Sequence, residues 1–369
     1  MDNRLPVQYG GLLYIGSWNR RTFLEVLHWL LRSLLILHSS FLIFSSCTDR
    51  TGEAAQFFLK GNVQLQKREY KEAIRYYTEA IGKKGDFADA YSNRGLAHYR
   101  NGEMEAAQAD LTKAIQTDAT FEPAYLNRSD VFLATGQPTD ALRDLLQIAK
   151  TYKDSTFYQT RLGEAYAGLN NAGQAQSAFD KAILLDPKNA EALTNRAALA
   201  FGQKRYADAQ NDLKQALVID PNRAETLNNQ ALLLAQTGQF AQALPFVEKA
   251  LTQQPTQPYY RNNKGYLLLM LNRDAEALPL IEDAIRANDK NAWAHRNLGI
   301  YYLRQKQPAK ALTSFQQAER LDSSVDLLYT YLGNAHLALG HKAEACATWQ
   351  RGQLAGDAQA TALRKANCR

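Results

Sequence analysis

Asn93, Asn127, Asn195, Asn229, Asn263 and Asn297 are separated by 34 residues or by twice that. A carboxamide donates and accepts at once, so a row of them can read a peptide backbone without reading its side chains. The competing role is bonding to neighbouring turns or to water. Toward the C-terminal end the same region turns aromatic and basic, with Tyr259, Tyr266, Trp293, Arg296 and Arg304. Exposed aromatics and arginine are typical binding anchors; the alternative is that Tyr259 and Trp293 pack between neighbouring elements. Three arginines and three aspartates keep step with one another: Arg94 with Asp110, Arg128 with Asp144, and Arg196 with Asp212. Catalytic signatures are missing. There is no HExxH, no P-loop and no GxSxG, so the expectation is a chain that is not an enzyme, with no cofactor, no metal site and no small-molecule substrate.

Composition narrows the class. The chain has 369 residues, 46% hydrophobic and 22% charged, with three cysteines, too few for a disulfide framework. The net charge is +6. Residues 1–46 hold four arginines against Asp2 and Glu25, which leaves 39 basic and 35 acidic residues in the rest. That balance is too even for a nucleic-acid footprint.

Residues 23–44 are apolar but interrupted by Glu25, His28 and Arg32. The clean stretch, SLLILHSSFLIF, has 12 residues, short of the ~20 that a spanning helix needs. It matches the apolar core of a secretory signal flanked by Arg20, Arg21 and Arg32. Ser45-Ser46-Cys47 follows and resembles a bacterial lipobox, with Phe44 where leucine is usual. The resemblance implies cleavage after residue 46 and lipid on Cys47, so that acyl chains hold the protein at a membrane. An uncleaved signal anchor is the alternative. Thr48 rather than Asp after the cysteine points to the outer membrane, facing the periplasm.

From residue 54 to 359 the chain is one 34-residue unit repeated nine times without a gap. Position 20 is alanine in every unit, from Ala73 to Ala345. Position 8 is Gly, Ala or Ser, and position 27 is small except for Ile148. Larger residues such as Tyr77, Phe179, Phe315 and Trp349 stand at position 24. A turn falls near position 15, and Pro187, Pro221 and Pro255 stop the second half of their units. These positions are similar to those of the tetratricopeptide repeat family. The resemblance implies an all-α solenoid of two antiparallel helices per unit in a right-handed superhelix. Residues 47–53 are then a linker and 360–369 part of a C-terminal capping helix.

The resemblance also places position 6, the asparagine row, on the concave face, like the asparagine ladder of the O-GlcNAc transferase repeats. Helices ~10 Å apart match roughly three residues of extended peptide. The row has a gap at Arg161 and ends at Tyr331. Phe58 stands where the chaperone-binding relatives carry a lysine, which argues against that partner class. His98, His295 and His336 fall where the family keeps core aromatics. Positions 7 and 23 are equally far from the turn, so the Arg–Asp sets are expected to pair within each hairpin. Cys346 and Cys368 could bridge cap and ninth unit if the chain enters an oxidising space, although Cys368 falls on the groove side. The functional expectation is a lipid-anchored envelope scaffold that binds a protein or extended peptide in its groove. The alternative is a regulatory or substrate-recruiting subunit of a multi-protein enzyme.

Overall fold

The computed structural model describes residues 50–368. The expected signal in residues 1–46 and the lipid site Cys47 lie outside them. Among the described residues there are twenty helices and no strand. They form a solenoid in which each repeat supplies a helical pair. Counting position 1 as residue 54 and advancing by 34, the first helices of repeats two to eight start on that position: Ala88, Glu122, Thr156, Ala190, Ala224, Pro258 and Ala292.

The seam inside each pair explains the small residues. All nine alanines at position 20 are fully buried. A Cβ added at Gly61 would lie 2.5 Å from the Tyr77 ring, and one at Gly299 2.5 Å from the Phe315 ring. Position 8 is small because position 24 of the same repeat lies against its backbone, and close packing leaves no slack for a methyl group.

Position 27 shows the rule by its exception. It is occupied by buried alanine in seven repeats and by Gly352 in the last. In repeat three it is Ile148, and there the second helix breaks. Pro138–Gln147 ends, Ile148 leaves helical geometry, and a single turn Ala149–Tyr152 follows. The branched side chain is still buried, so the backbone yields instead.

Every turn at position 15 is left-handed. Gly102, Gly136, Gly238 and Gly340 have φ between 71° and 84°, and Arg68, Asn170, Lys204, Asn272 and Lys306 have φ between 56° and 62°. A left-handed residue ends the first helix and redirects the chain. Pro187, Pro221 and Pro255 follow second helices that end at Leu185, Ile219 and Gln253.

The two ends depart from the repeat. The first helix runs Arg50–Gln66, so residues 50–53, expected as linker, are helical. Repeat nine starts its first helix only at Leu328, because Leu327 is itself left-handed with φ 56°. A last helix, Ala358–Asn367, closes the stack. Its N-cap Asp357 accepts from the Ala360 amide at 2.9 Å and from Thr330 Oγ1 at 2.8 Å, which fastens the cap to repeat nine. Cys346 and Cys368 are disulfide-bonded, with Cα atoms 5.8 Å apart. Cys368 does not face the groove as expected: it sits at the C-cap with extended backbone, which turns it back toward Cys346.

Candidate ligand groove

The first helices carry the asparagine row, and the structure shows where its amides go. Nδ2 of Asn93 donates to Asn62 Oδ1 at 2.9 Å, and that of Asn127 to Ser92 Oγ at 3.3 Å. Asn195 donates to Glu164 Oε1 at 2.5 Å, Asn263 to Asn228 Oδ1 at 2.8 Å, and Asn297 to Asn262 Oδ1 at 2.9 Å. Each acceptor lies at position 5 or 9 of the preceding repeat. Asn229 instead accepts a long bond from Asn228 Nδ2 at 3.5 Å. Five of the six amides therefore spend a donor on lacing one repeat to the next. Asn297 is fully buried and cannot line an open groove; the other five are half-buried.

Arg161, the gap in the row, is the hub of a polar cluster. Nε donates to Asp130 Oδ1 at 2.6 Å, and Nη1 donates to Glu191 at 2.9 Å and to Glu164 at 3.2 Å. Phe157 lies against its guanidinium, 4.4 Å from ring centroid to Cζ. Burial raises the Glu164 carboxyl to about 7, although Arg161 and the Asn195 amide pull it down. Beside it a hollow of about 500 Å³ opens between repeats four and five, lined by Glu164, Ala167, Phe179, Asn195, Ala198 and Leu199 among others.

At the C-terminal end the expected anchors divide. Tyr259 and Trp293, both at position 2, are 52% and 40% exposed. Arg296 corrects the expectation of an exposed arginine. It is 4% exposed and sandwiched between Tyr266 and Trp293, each ring centroid 4.8 Å from Cζ. It donates to Asn297 Oδ1 and to the Asp326 carbonyl. Burial lowers its pKa, and no carboxylate touches it among the described residues. Arg296 is thus a pillar of the seam between repeats. Arg304 is held by Asp274 at 2.8 Å and by Asn272 at 2.7 Å, which leaves it tied rather than free. Tyr331, where the row ends, stacks on Phe315.

Behind the groove, the three Arg–Asp sets form bidentate pairs. Arg94 Nε and Nη2 reach both Asp110 oxygens at 2.7 Å, and Arg128 reaches those of Asp144 at 2.7 and 2.8 Å. Arg196 holds Asp212 in the same way. Each arginine also uses Nη1 on position 25 of the preceding repeat: Thr78, Thr112 and Asp180 respectively. Lys264 follows the same path to Glu248 at 3.0 Å. The histidines, expected as packing residues, have polar contacts as well. His98 pairs with Glu103 and lies 3.7 Å from Asp110, and His295 Nε2 lies 2.8 Å from the Asp289 carbonyl. Burial lowers the pKa of His336.

A family model described as the cilia and flagella-associated protein 70 C-terminal domain matches residues 82–298, more than half of the chain. Tetratricopeptide repeat models match residues 61–102, 292–324 and 328–351. The chain belongs to this tetratricopeptide repeat family.

Relatives share the repeat and differ in what surrounds it. The DnaJ homolog subfamily C member 7 homolog of Schizosaccharomyces pombe is 30% identical over 159 residues, 38% of this chain and 33% of that protein. Human serine/threonine-protein phosphatase 5 is 29% identical over 133 residues, 36% of this chain and 26% of that protein. The matched region thus spans a third or less of these relatives' length. Among solved structures, the APC/C hetero-tetramer Cut9-Hcn1 is similar with a TM-score of 0.61 at 15% identity, covering 94% of this chain and 82% of that one. The human IFIT1 dimer with m7Gppp-AAAA is similar with a TM-score of 0.51 at 17% identity, covering 72% and 68%. At such identities the likeness shows the fold alone. Tetratricopeptide repeats act as protein-interaction scaffolds, and the exposed position-2 aromatics are consistent with that use.

Sequence reasoning missed the position-25 contacts, because their residue types change from threonine to aspartate. It also missed the Asp130–Arg161–Glu164–Glu191 cluster. The signal available for it was Arg161 itself, a guanidinium replacing an amide in an otherwise regular row.

Proposed function

We propose that this chain is an envelope adaptor that binds an extended segment of a partner protein along its first-helix face and is tethered by lipid at Cys47. The observation that carries the binding reading is the pair Tyr259 and Trp293. They are large aromatics left exposed at the same position of consecutive repeats, where apolar surface outside the core marks interaction sites. Asn263, one helical turn from Tyr259, adds a half-buried carboxamide whose oxygen can accept from a peptide backbone. The Cys346–Cys368 bridge supports export, since disulfides persist in oxidising compartments.

Several relatives carry chaperone names, among them the Hsp70-Hsp90 organizing protein of Triticum aestivum. A co-chaperone role of that kind is less well supported here. In repeat one the position expected to hold a cation is Phe58, packed 4.9 Å from Phe87.

Two measurements test the proposal. Radiolabelled palmitate should enter the wild-type protein and not Cys47→Ser; equal label in both ends the tether. A partner captured from detergent-solubilised envelope should be retained about tenfold less by Tyr259→Ala/Trp293→Ala. Equal retention by wild type and variant, with helix content unchanged, would remove the groove from the reading.

A further inference from the structure

The groove is not chemically uniform. Between repeats three and five a single guanidinium, Arg161, faces three carboxylates: Asp130 at 2.6 Å, Glu191 at 2.9 Å and Glu164 at 3.2 Å. The quartet therefore carries two excess negative charges when all are ionised. Arg223 reaches Glu191 only at 3.5 Å and shares itself with Glu225. Tyr99 and Arg100 of repeat two lie on the far side, toward Asp130. Asp130 is enclosed, with 7% of its side chain exposed, whereas Glu164 keeps 27%. Glu164 Oε2 has one long contact, Arg161 Nη1 at 3.3 Å. Glu164 also lines the hollow between repeats four and five.

The hollow has a sequence cause. Position 12 is leucine, tyrosine or phenylalanine in seven repeats, from Leu65 to Leu337, and alanine in two: Ala235 of repeat six is buried, whereas Ala167 of repeat four is half-buried and lines the hollow. Across from it, repeat five presents Ala198 and Gly202. Truncation on both sides opens about 500 Å³, ample for one long side chain. Ala167, Ala172, Phe179, Ala198 and Leu199 supply its apolar wall, Asn170, Asn195 and Gln203 are neutral polar groups at its edge, and its one ionisable group is Glu164. An apolar shaft ending at a carboxylate suits a side chain with a methylene stem and a cationic head.

We propose that this hollow receives a lysine or arginine side chain of the bound peptide, its stem against Ala198 and Leu199 and its cation on Glu164. The inference rests on the groove reading above and names the chemistry of one residue in the partner. A cation there would offset the charge excess around Arg161, whereas an acidic side chain would add to it. The raised Glu164 carboxyl, at about 7, adds a consequence: the carboxylate is available above neutrality and is lost as pH falls, so capture of the basic side chain weakens in acid.

The test is a random dodecapeptide phage library panned at pH 8 on wild type, Glu164→Gln and Ala198→Leu. Wild type should select peptides with lysine or arginine at one register position. Glu164→Gln should keep the rest of the motif and lower the basic preference about five- to tenfold, as expected for one partly shielded ion pair. Ala198→Leu, which fills the hollow at an exposed position, should do the same. One wild-type-selected peptide should bind about fivefold more weakly at pH 6 than at pH 8, and Glu164→Gln should flatten that difference. A selected motif without a basic position, or the same basic preference in Glu164→Gln, overturns the pocket and leaves the groove standing. No selected peptide at all overturns groove and pocket together.

Discussion

Arg196 grips Asp212 with two parallel hydrogen bonds, Nε to Oδ2 at 2.8 Å and Nη2 to Oδ1 at 2.7 Å, and gives Nη1 to Asp180 of the preceding repeat at 2.7 Å. Only 5% of the Asp212 side chain is exposed. Its charge is sheltered and its counter-charge comes from a different helix of the same hairpin. The pair thus fixes the hairpin internally while the third nitrogen sets its stacking on the preceding hairpin.

Arg196→Met should cost roughly 3–5 kcal/mol, because it strands a buried carboxylate. Asp180→Ala should cost under about 1 kcal/mol, since that aspartate is 49% exposed. Urea denaturation of the two variants measures both, and a double-mutant cycle on Arg196 and Asp212 should show coupling. Independent, additive losses would contradict the bidentate contact.

Lys204→Gly and Lys306→Gly should each raise stability by about 0.5–1 kcal/mol. Both lysines hold a left-handed backbone, at φ 61° and 56°, where a side chain costs energy that glycine avoids. Gly238→Ala, at φ 75°, should lower stability by about 1 kcal/mol. Denaturation midpoints check the signs, and a destabilised Lys204→Gly would mean that the lysine side chain has a role in its turn.

Cys368→Ser should loosen the last helix. The bridge closes a span of 22 residues, for which chain-entropy arguments give about 3 kcal/mol. Hydrogen exchange should speed up across Ala358–Asn367 and stay unchanged in the first repeats. Identical protection with and without the bridge would show that the Asp357 cap alone holds the helix.

Glu164 should make the fold more stable in mild acid than in mild base. Its folded-state carboxyl, near 7, lies above the ordinary 4.5. Its contribution is therefore fully present below about pH 4.5 and is lost as pH rises through about 7, on the order of 1–3 kcal/mol. Urea midpoints of wild type and Glu164→Gln between pH 5 and pH 8 should diverge, with the variant the flatter. Parallel profiles would assign the pH dependence to other groups.

What was legible in advance was what packing forces to recur. Ala at position 20 and small residues at position 8 repeat because the helix seam repeats, and Gly61 or Gly299 has no room for a methyl group. The Arg–Asp sets were legible because two charges that touch are kept or lost together. The left-handed turns were only partly legible: Gly102 announces one, whereas Arg68 and Lys204 adopt the same backbone without a residue type that reveals it. The groove was the least legible. Asn297 and Arg296 have the residue types of a binding surface, but their donors are consumed by neighbours one residue or one repeat away, and spacing along one chain does not show where a neighbour's acceptor will lie.

A stack whose units touch only adjacent units comes apart from its ends. The bridge between Cys346 and Cys368, with Asp357 beneath it, clasps one of those ends. Unravelling from that end is thereby opposed. Under tension the last helix cannot part from repeat nine while the bridge is intact, so cutting the bridge should let the rod open there at a lower force.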